Sequence, residues 1–360
     1  MMPFLTSNFG NPSGAHQVSR SAMAAVDDAR ERMAFHLGCE PGEVVFTSGG
    51  TEADNLAILG VHAVRGGAAI CSAIEHRAVL GPSGEIGAKV APVGRDGILD
   101  LDRFEVLLTP EIAIVSVMTV NNEVGTVQPL AEISALVRKG APGAVIHSDA
   151  VQAAAWLDLR DACRDVDALS VSAHKVGGPK GVGALVLRDG VSYSPPLRGG
   201  SHERGRRPGT HNVAGIVGMA AAFDAAAKAR EEERVKALAL RDRLVRGIVG
   251  AIDGVEEIGR SGSDANVPGI LSLVVSGVDQ QDLLLSLDEK GVCAAGGSAC
   301  SSGAVQPSHV LIAMGYSAEE ARGAVRLSLG HTTTVGEIDH AIGTVVSSVD
   351  ALRSGGRGAR

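Results

Sequence analysis

Aromatic residues are scarce in this chain. Its 360 residues include one Trp, two Tyr and six Phe. The core must therefore be aliphatic, built from Val, Leu, Ile and Ala, and a single-strand nucleic-acid platform, which needs stacking rings, is not expected. Positive charge is not in excess. The formal net charge is -8, whereas a binder of the phosphate backbone carries a basic face. The locally basic end, Arg353 to Arg360, reads as a solvated terminus. Long apolar runs are missing too. The best stretch, from Ala214 onward, is broken by Asp224 and Lys228, so no transmembrane helix and no membrane partner are expected. The five cysteines, Cys39, Cys71, Cys163, Cys293 and Cys300, are odd in number and form no C-x-x-C pair. With no signal peptide at the start, a disulfide framework is improbable and a reducing, cytoplasmic setting is expected.

What is present is an ordinary globular composition, 45% hydrophobic and 21% charged, on a chain long enough for about two domains. Short apolar runs alternate with helical patterns. Val44-Val45-Phe46, Ala69-Ile70, Ile112 to Met118, Ala144 to Ile146, Ala168 to Val171 and Ala184 to Leu187 read as buried strands. Amphipathic segments such as Leu130 to Arg138 lie between several of them. Apolar strands without alternation, separated by helices, predict an α/β fold with a mostly parallel central sheet covered by helices. From Ala214 to about Ile252 the chain reads as helix. Gly259 to Pro268 reads as a loop, Ile270 to Val275 as a strand, and Asp279 to Lys290 and Glu337 to Leu352 as helices. A large domain over 1–230 and a smaller α+β domain over 231–360 follow.

Four segments could carry chemistry. Thr47-Ser48-Gly49-Gly50-Thr51-Glu52 follows a strand and opens a helix. Glycines let the backbone approach an anion, and a helix N-terminus offers free N–H donors, so phosphate is the natural guest; a plain glycine turn fits equally well. Asp149, in Val145-Ile146-His147-Ser148-Asp149-Ala150-Val151-Gln152, ends an apolar strand, where open α/β sheets place their ligands. A buried carboxylate there calls for a cationic partner, unless Asp149 simply caps the next helix. Lys175, in Ser172-Ala173-His174-Lys175, directly follows another apolar strand and precedes a Gly-rich turn. Such a lysine can serve as a Schiff-base nucleophile when its surroundings lower its proton affinity, although surface lysines are far commoner. Cys300 stands in the Gly/Ser-rich stretch Gly296 to Ala304, which reads as a mobile loop. Cys293, in a more apolar neighbourhood, reads as a small buried residue, as do Cys39, Cys71 and Cys163. A Cys293/Cys300/His309 set lacks metal-site spacing, so no metal is expected.

Taken in order, these segments resemble the cysteine desulfurases, pyridoxal-phosphate enzymes of the class V aminotransferase type (fold type I). The resemblance runs from Gly10-Asn11-Pro12-Ser13 to Arg326-Leu327-Ser328-Leu329-Gly330. It includes Phe46 to Asn55, Glu75-His76, Val120 to Gly125, Asp149 with Gln152, Ser172 to Lys175, Gly199 to Thr210 and Ser298 to Ser302. The Gly/Ser-rich cysteine loop resembles the branch serving iron–sulfur assembly and tRNA thiolation. The resemblance implies pyridoxal 5'-phosphate as cofactor, bonded by Lys175, which then moves protons. Asp149 would pair with its ring nitrogen. His76 would stack on the ring and act as acid or base. Gln152 and Asn122 would face the phenolic oxygen and the substrate. Gly50, Thr51, Ser172 and His174 would hold the phosphate, joined by Thr210 from the other subunit of a homodimer. Arg326 would grip the substrate carboxylate, and Cys300 would be the nucleophile.

The implied reaction converts L-cysteine to L-alanine and leaves a persulfide on Cys300 for a sulfur-acceptor protein. A free thiol is only a few per cent thiolate at neutral pH, so a neighbour or the substrate must assist its deprotonation. The family usually begins with a strand and an Ala-Thr-Thr-Pro-like turn. This sequence opens at Met1-Met2-Pro3-Phe4-Leu5, which resembles the segment just after that turn, so substrate binding, small-domain packing and full activity are the properties that this departure from the family pattern puts in question. Pro208 and Leu327 replace the usual small residue and Phe of their motifs, mild changes. Two other readings remain. In a selenocysteine lyase or class V aminotransferase, Cys300→Ala would discriminate, because an aminotransferase does not need that thiol. A non-catalytic scaffold for sulfur-carrier partners would bind cofactor without making alanine.

Overall fold

A computed structural model describes residues 1–259, 265–297 and 307–355. The chain forms two compact units. The first comprises Met1–Pro92, Asp100–Val120 and Gln128–Arg230, and the second Val93–Leu99, Asn121–Val127 and Glu231–Arg360. The change-over after Arg230 lies inside a helix, and two short earlier stretches belong to the second unit, which a single boundary near 230 does not anticipate.

The first unit is built on β1 (Val44–Thr47), β2 (Ala68–Ser72), β3 (Lys89–Ala91), β4 (Ile112–Ser116), β5 (Val145–Asp149), β6 (Ala168–Ser172) and β7 (Gly183–Leu187). They form one sheet in the order β1-β7-β6-β5-β4-β2-β3. Neighbours from β6 through β5, β4 and β2 to β3 run parallel. Strand β7 runs antiparallel to both β1 and β6, so the sheet is mostly parallel, as the run of non-alternating strands implies. Strands β1, β4, β5, β6 and β7 are buried at every position. The unit's helices are α1 (Met2–Leu5), α2 (Gln17–Leu37), α3 (Gly50–Arg65), α4 (Arg77–Glu85), α5 (Leu101–Leu107), α6 (Leu130–Gly140) and α7 (Leu159–Ala162). Helix α2 ends at Gly38, whose φ of 62° lets its N–H and that of Cys39 turn back onto the carbonyls of Phe35 and Ala34. Helix α3 packs Leu56, Ala57, Ile58 and Val61 against β-sheet residues Val45, Ile114, Val145 and Leu185.

Helix α8 (Val213–Val249) is continuous, as the helical reading from Ala214 implies. The second unit has an antiparallel sheet in the order β10-β9-β8, from β8 (Val255–Glu257), β9 (Ile270–Val275) and β10 (Ala324–Ser328). Its helices are α9 (Gln280–Glu289), α10 (His309–Ala313), α11 (Ala318–Arg322) and α12 (Val335–Gly355). Leu240, Leu244, Ile248, Leu271, Leu273, Leu283, Leu287, Val325, Val345 and Val349 make its aliphatic core. Among the described residues, no helix is long and apolar enough to cross a membrane.

Candidate active site

The site is built from strand ends. Strand β5 delivers Asp149 as its last residue, and β6 ends at Ser172, with His174 and Lys175 in the 3-10 turn that follows. In a strand, residues two apart share a face, so His147 and Asp149 point the same way. Burial pushes the Asp149 carboxyl up to about 6, against the pull of the Val151 N–H and the Lys175 ammonium. Two more buried carboxyls lie close enough to feel it. Burial raises Asp54, on α3, well above the carboxylate range, with the Asp149 charge adding to the effect. Burial does the same to Glu75, whose Oε1 accepts the Met118 N–H at 2.7 Å and whose proton affinity Asp149 also raises. His147 is wholly buried between Ser116 Oγ, 2.8 Å from Nδ1, and Ser170 Oγ, 3.0 Å from Nε2. Burial lowers it to about 3, so it is neutral at pH 7 and does not neutralise Asp54, 3.6 Å away. The interior behind Asp149 is thus polar and acidic, and Lys175 is the cation that offsets Asp149.

Beside these strand ends, helix α3 begins without a side-chain cap. Its cap residue, Gly49, has φ 153°. A Cβ on Gly50 would lie 2.6 Å from Val151 Cγ2 and 3.8 Å from Ser172 Cβ, so any side chain there would have to displace Val151. One on Gly183 would lie 2.7 Å from Gly49 Cα. The first-turn N–H groups, including that of Thr51, are left for an external acceptor. Ser172 Oγ lies 2.8 Å from His174 Nδ1. Burial, with the charges of Lys175 and Lys180, lowers His174 and keeps its ring neutral. Glu52 in this turn is spoken for: it accepts Arg207 Nε at 2.7 Å and the Ser48 N–H at 2.7 Å.

His76 caps α4, its Nδ1 accepting the Ala78 N–H at 3.1 Å. In the neutral ring that places the proton on Nε2. Gln152 is half-buried and Thr210 exposed. The segment leading to Thr210 is anchored by Glu203, which takes both Arg30 guanidinium nitrogens at 2.8 and 2.7 Å, the Phe46 N–H at 2.9 Å and His211 Nε2 at 2.6 Å. The structure thus brings Gly50, Thr51, Asp149, Ser172, His174 and Lys175 together. Asn122 and Arg326 belong to the second unit, where Arg326 Nη1 donates to the Asn122 carbonyl at 2.9 Å. Cys300 lies outside the described residues. Cys293 is exposed, not buried, although its neighbour Val292 is buried.

Comparison with known proteins now bears on this geometry. A class-V aminotransferase model matches residues 1–340. The cysteine desulfurase IscS of Clostridium botulinum is 41% identical over 350 residues, covering 95% of this chain and 88% of the relative. The chain belongs to the class-V aminotransferases, among the cysteine desulfurases. A solved NifS-like protein superposes with a TM-score of 0.90 at 34% identity, over 98% of this chain and 94% of that one. A structure described as SspA in complex with cysteine has a TM-score of 0.75 at 32% identity, over 91% and 92% of the two chains. The fold is accordingly that of the fold type I transferases, and the family depends on pyridoxal phosphate. The residues present fit that group. An uncapped glycine helix start beside Ser172 suits its phosphate, and an acidic interior with a carboxyl held near 6 suits a cationic ring nitrogen.

Several residues here escape a reading by motif. His147 carried a signal, being polar in an apolar strand two positions before Asp149. Arg30 and Glu203 carried none, because 173 positions separate them.

Proposed function

We propose that this chain converts L-cysteine to L-alanine and passes the sulfur, as a persulfide on Cys300, to an acceptor protein of iron–sulfur assembly or tRNA thiolation. The observation that carries the reading is the placement of Asp149 at the end of β5 and Lys175 just after the adjacent β6, beside the open start of α3, in a chain 41% identical to a cysteine desulfurase.

Pyridoxal phosphate, when bound, supplies an electron sink for the substrate's α-carbon. Gly50, Thr51, Ser172 and His174 would hold its phosphate, with Thr210 supplied by a second copy of the chain in a homodimer. Asp149 would hold its ring nitrogen, and Lys175 would bond it covalently. Gln152 and Asn122 would hold its phenolic oxygen. Lys175 would be the base and acid for the substrate's carbon protons. His76 would stack on the ring and serve as an acid or base. Arg326 orients the substrate carboxylate through paired donors. The Cys300 thiolate then forms the S–S bond to the substrate sulfur as the C–S bond breaks. That electron pair stays with carbon, which takes up a proton to give alanine. The balance is L-cysteine plus thiol going to L-alanine plus persulfide. A cytoplasmic location fits these acceptors. The test is anaerobic alanine release from L-cysteine with reductant: wild type active, Lys175→Ala and Cys300→Ala inactive. Retained turnover in Cys300→Ala would instead indicate an aminotransferase or a lyase without a protein thiol.

A further inference from the structure

The second unit holds a buried carboxylate that the proposed chemistry does not use. Glu123 is 2% exposed. Its backbone is fixed by Asn121, whose Oδ1 accepts the N–H groups of Glu123 at 2.8 Å and Val124 at 3.0 Å. Its Oε2 accepts Ser308 Oγ at 2.5 Å. Ser308 in turn caps α10, accepting the Leu311 N–H at 3.3 Å. On the other side stands Gly297, with φ 54°. A Cβ there would lie 3.0 Å from Ser308 Cβ and 3.4 Å from Glu123 Oε2. Gly297 therefore faces Ser308 closely, and the carboxylate oxygen that bonds Ser308 lies on the open side of Gly297. In sequence they flank residues 298–307, which include Cys300. Just before Gly297, Ala295 exchanges backbone hydrogen bonds with Arg326 at 3.0 and 2.6 Å. Arg326 also reaches the Asn122 carbonyl. One turn, 121–124, thus bonds Arg326 through the Asn122 carbonyl and, through Glu123, fixes Ser308 where it faces Gly297, the two described ends on either side of Cys300 in sequence.

We propose that Glu123 is a positioning residue for Cys300, fastening the two stems of its segment at one point so that the thiol starts from a fixed base relative to Arg326. The proposal rests on the desulfurase reading for the role of Cys300, but the fastening itself does not. Because Arg326 uses the backbone carbonyl of Asn122, removing the Glu123 side chain leaves its hold intact. The effect should therefore fall on the sulfur-transfer step and spare substrate binding.

The experiment compares the full-length holoenzyme with Glu123→Ala, Glu123→Gln and Ser308→Ala at matched cofactor content. Amide exchange across 295–297 and 308–312 is followed by mass spectrometry alongside alanine kinetics. Glu123→Ala should lower kcat about tenfold or more, as misplacement of a reacting group does, with KM for L-cysteine within about twofold. Exchange should rise at Gly297 and at the start of α10. Glu123→Gln, which keeps an acceptor oxygen for Ser308, should restore most of kcat. Ser308→Ala should mimic Glu123→Ala, and the double variant should lose no more than either alone. Unchanged kcat, or a rise in KM equal to the loss in kcat with exchange raised across the whole unit, would overturn the proposal. If wild type itself makes no alanine, the desulfurase reading fails separately, and unchanged exchange at the two stems would still overturn the fastening.

Discussion

Glu203→Gln is the substitution whose consequence the structure fixes best. The Glu203 carboxylate is 7% exposed and has four donors around its two oxygens, two from Arg30 and one each from Phe46 and His211. Burial by itself would raise this carboxyl. The hydrogen bonds from Arg30 and His211, the Arg30 charge and the Phe46 N–H overcome that and hold it at about 2, against an ordinary 4.5. At about 1.4 kcal/mol per pH unit, the gap corresponds to roughly 3 kcal/mol of native-state preference for the ion. Glutamine keeps the shape, removes the charge beside Arg30 and turns one acceptor into a donor facing a donor. Unfolding of the first unit can be followed in urea through Trp156, the chain's single tryptophan. At pH 7 the variant should lose about 3 kcal/mol. The folded carboxyl is depressed, so wild type holds this stability above about pH 4.5 and loses it as pH falls toward 2. The gap between the two proteins should therefore close over that range. Glu203 and Arg204 both hold positive φ, 51° and 56°, without being glycine. The ion pair is what keeps that turn, and hence the segment leading to Thr210, in place. Equal stability at pH 7, or a gap that stays constant down to pH 3, would refute the reasoning.

Asp149→Asn should separate stability from function. In the cofactor-free protein burial holds Asp149 near 6, so its ionised form burdens the fold at pH 7. The variant should unfold about 1–3 kcal/mol later than wild type at pH 7, a gain that disappears below about pH 4, while cofactor-dependent alanine formation falls at least a hundredfold. Paired urea titrations at pH 4 and 7 and an alanine assay read both effects. Gly50→Ala drives a methyl toward Val151 Cγ2, 2.6 Å from the ideal Cβ position. It should weaken cofactor retention about tenfold or more in equilibrium dialysis, with a stability loss of about 1–3 kcal/mol.

The layout was readable from sequence where burial writes itself as a pattern. The apolar runs that became β1, β5, β6 and β7 are buried at every position, and uniform burial is what produces a run without alternation. The positions of Asp149 and Lys175 at strand ends were legible because a charge interrupts such a run; their roles were not, since a helix cap and a surface lysine leave the same trace. Strand β7 also read as apolar, but its antiparallel direction depends on the turn after Lys175, and hydrophobicity does not encode direction. Pairings across the chain left no trace. Glu203 finds Arg30 over 173 positions and Ser308 finds Glu123 over 185. Each partner alone looks like a surface residue. Cys293 misled because an apolar neighbourhood in sequence does not fix which side chains turn inward: Val292 is buried and Cys293 beside it is exposed.

The central claim is that the strand-end Lys175 and the thiol of Cys300 together turn L-cysteine into alanine and persulfide. The most direct measurement is anaerobic single-turnover alanine formation by the holoenzyme, with persulfide on Cys300 read by mass spectrometry of the intact chain. The account predicts one alanine and one added sulfur per site in wild type, neither in Lys175→Ala, and no persulfide or alanine in Cys300→Ala. Alanine formed without added sulfur on Cys300, or formed equally well by Cys300→Ala, would contradict it.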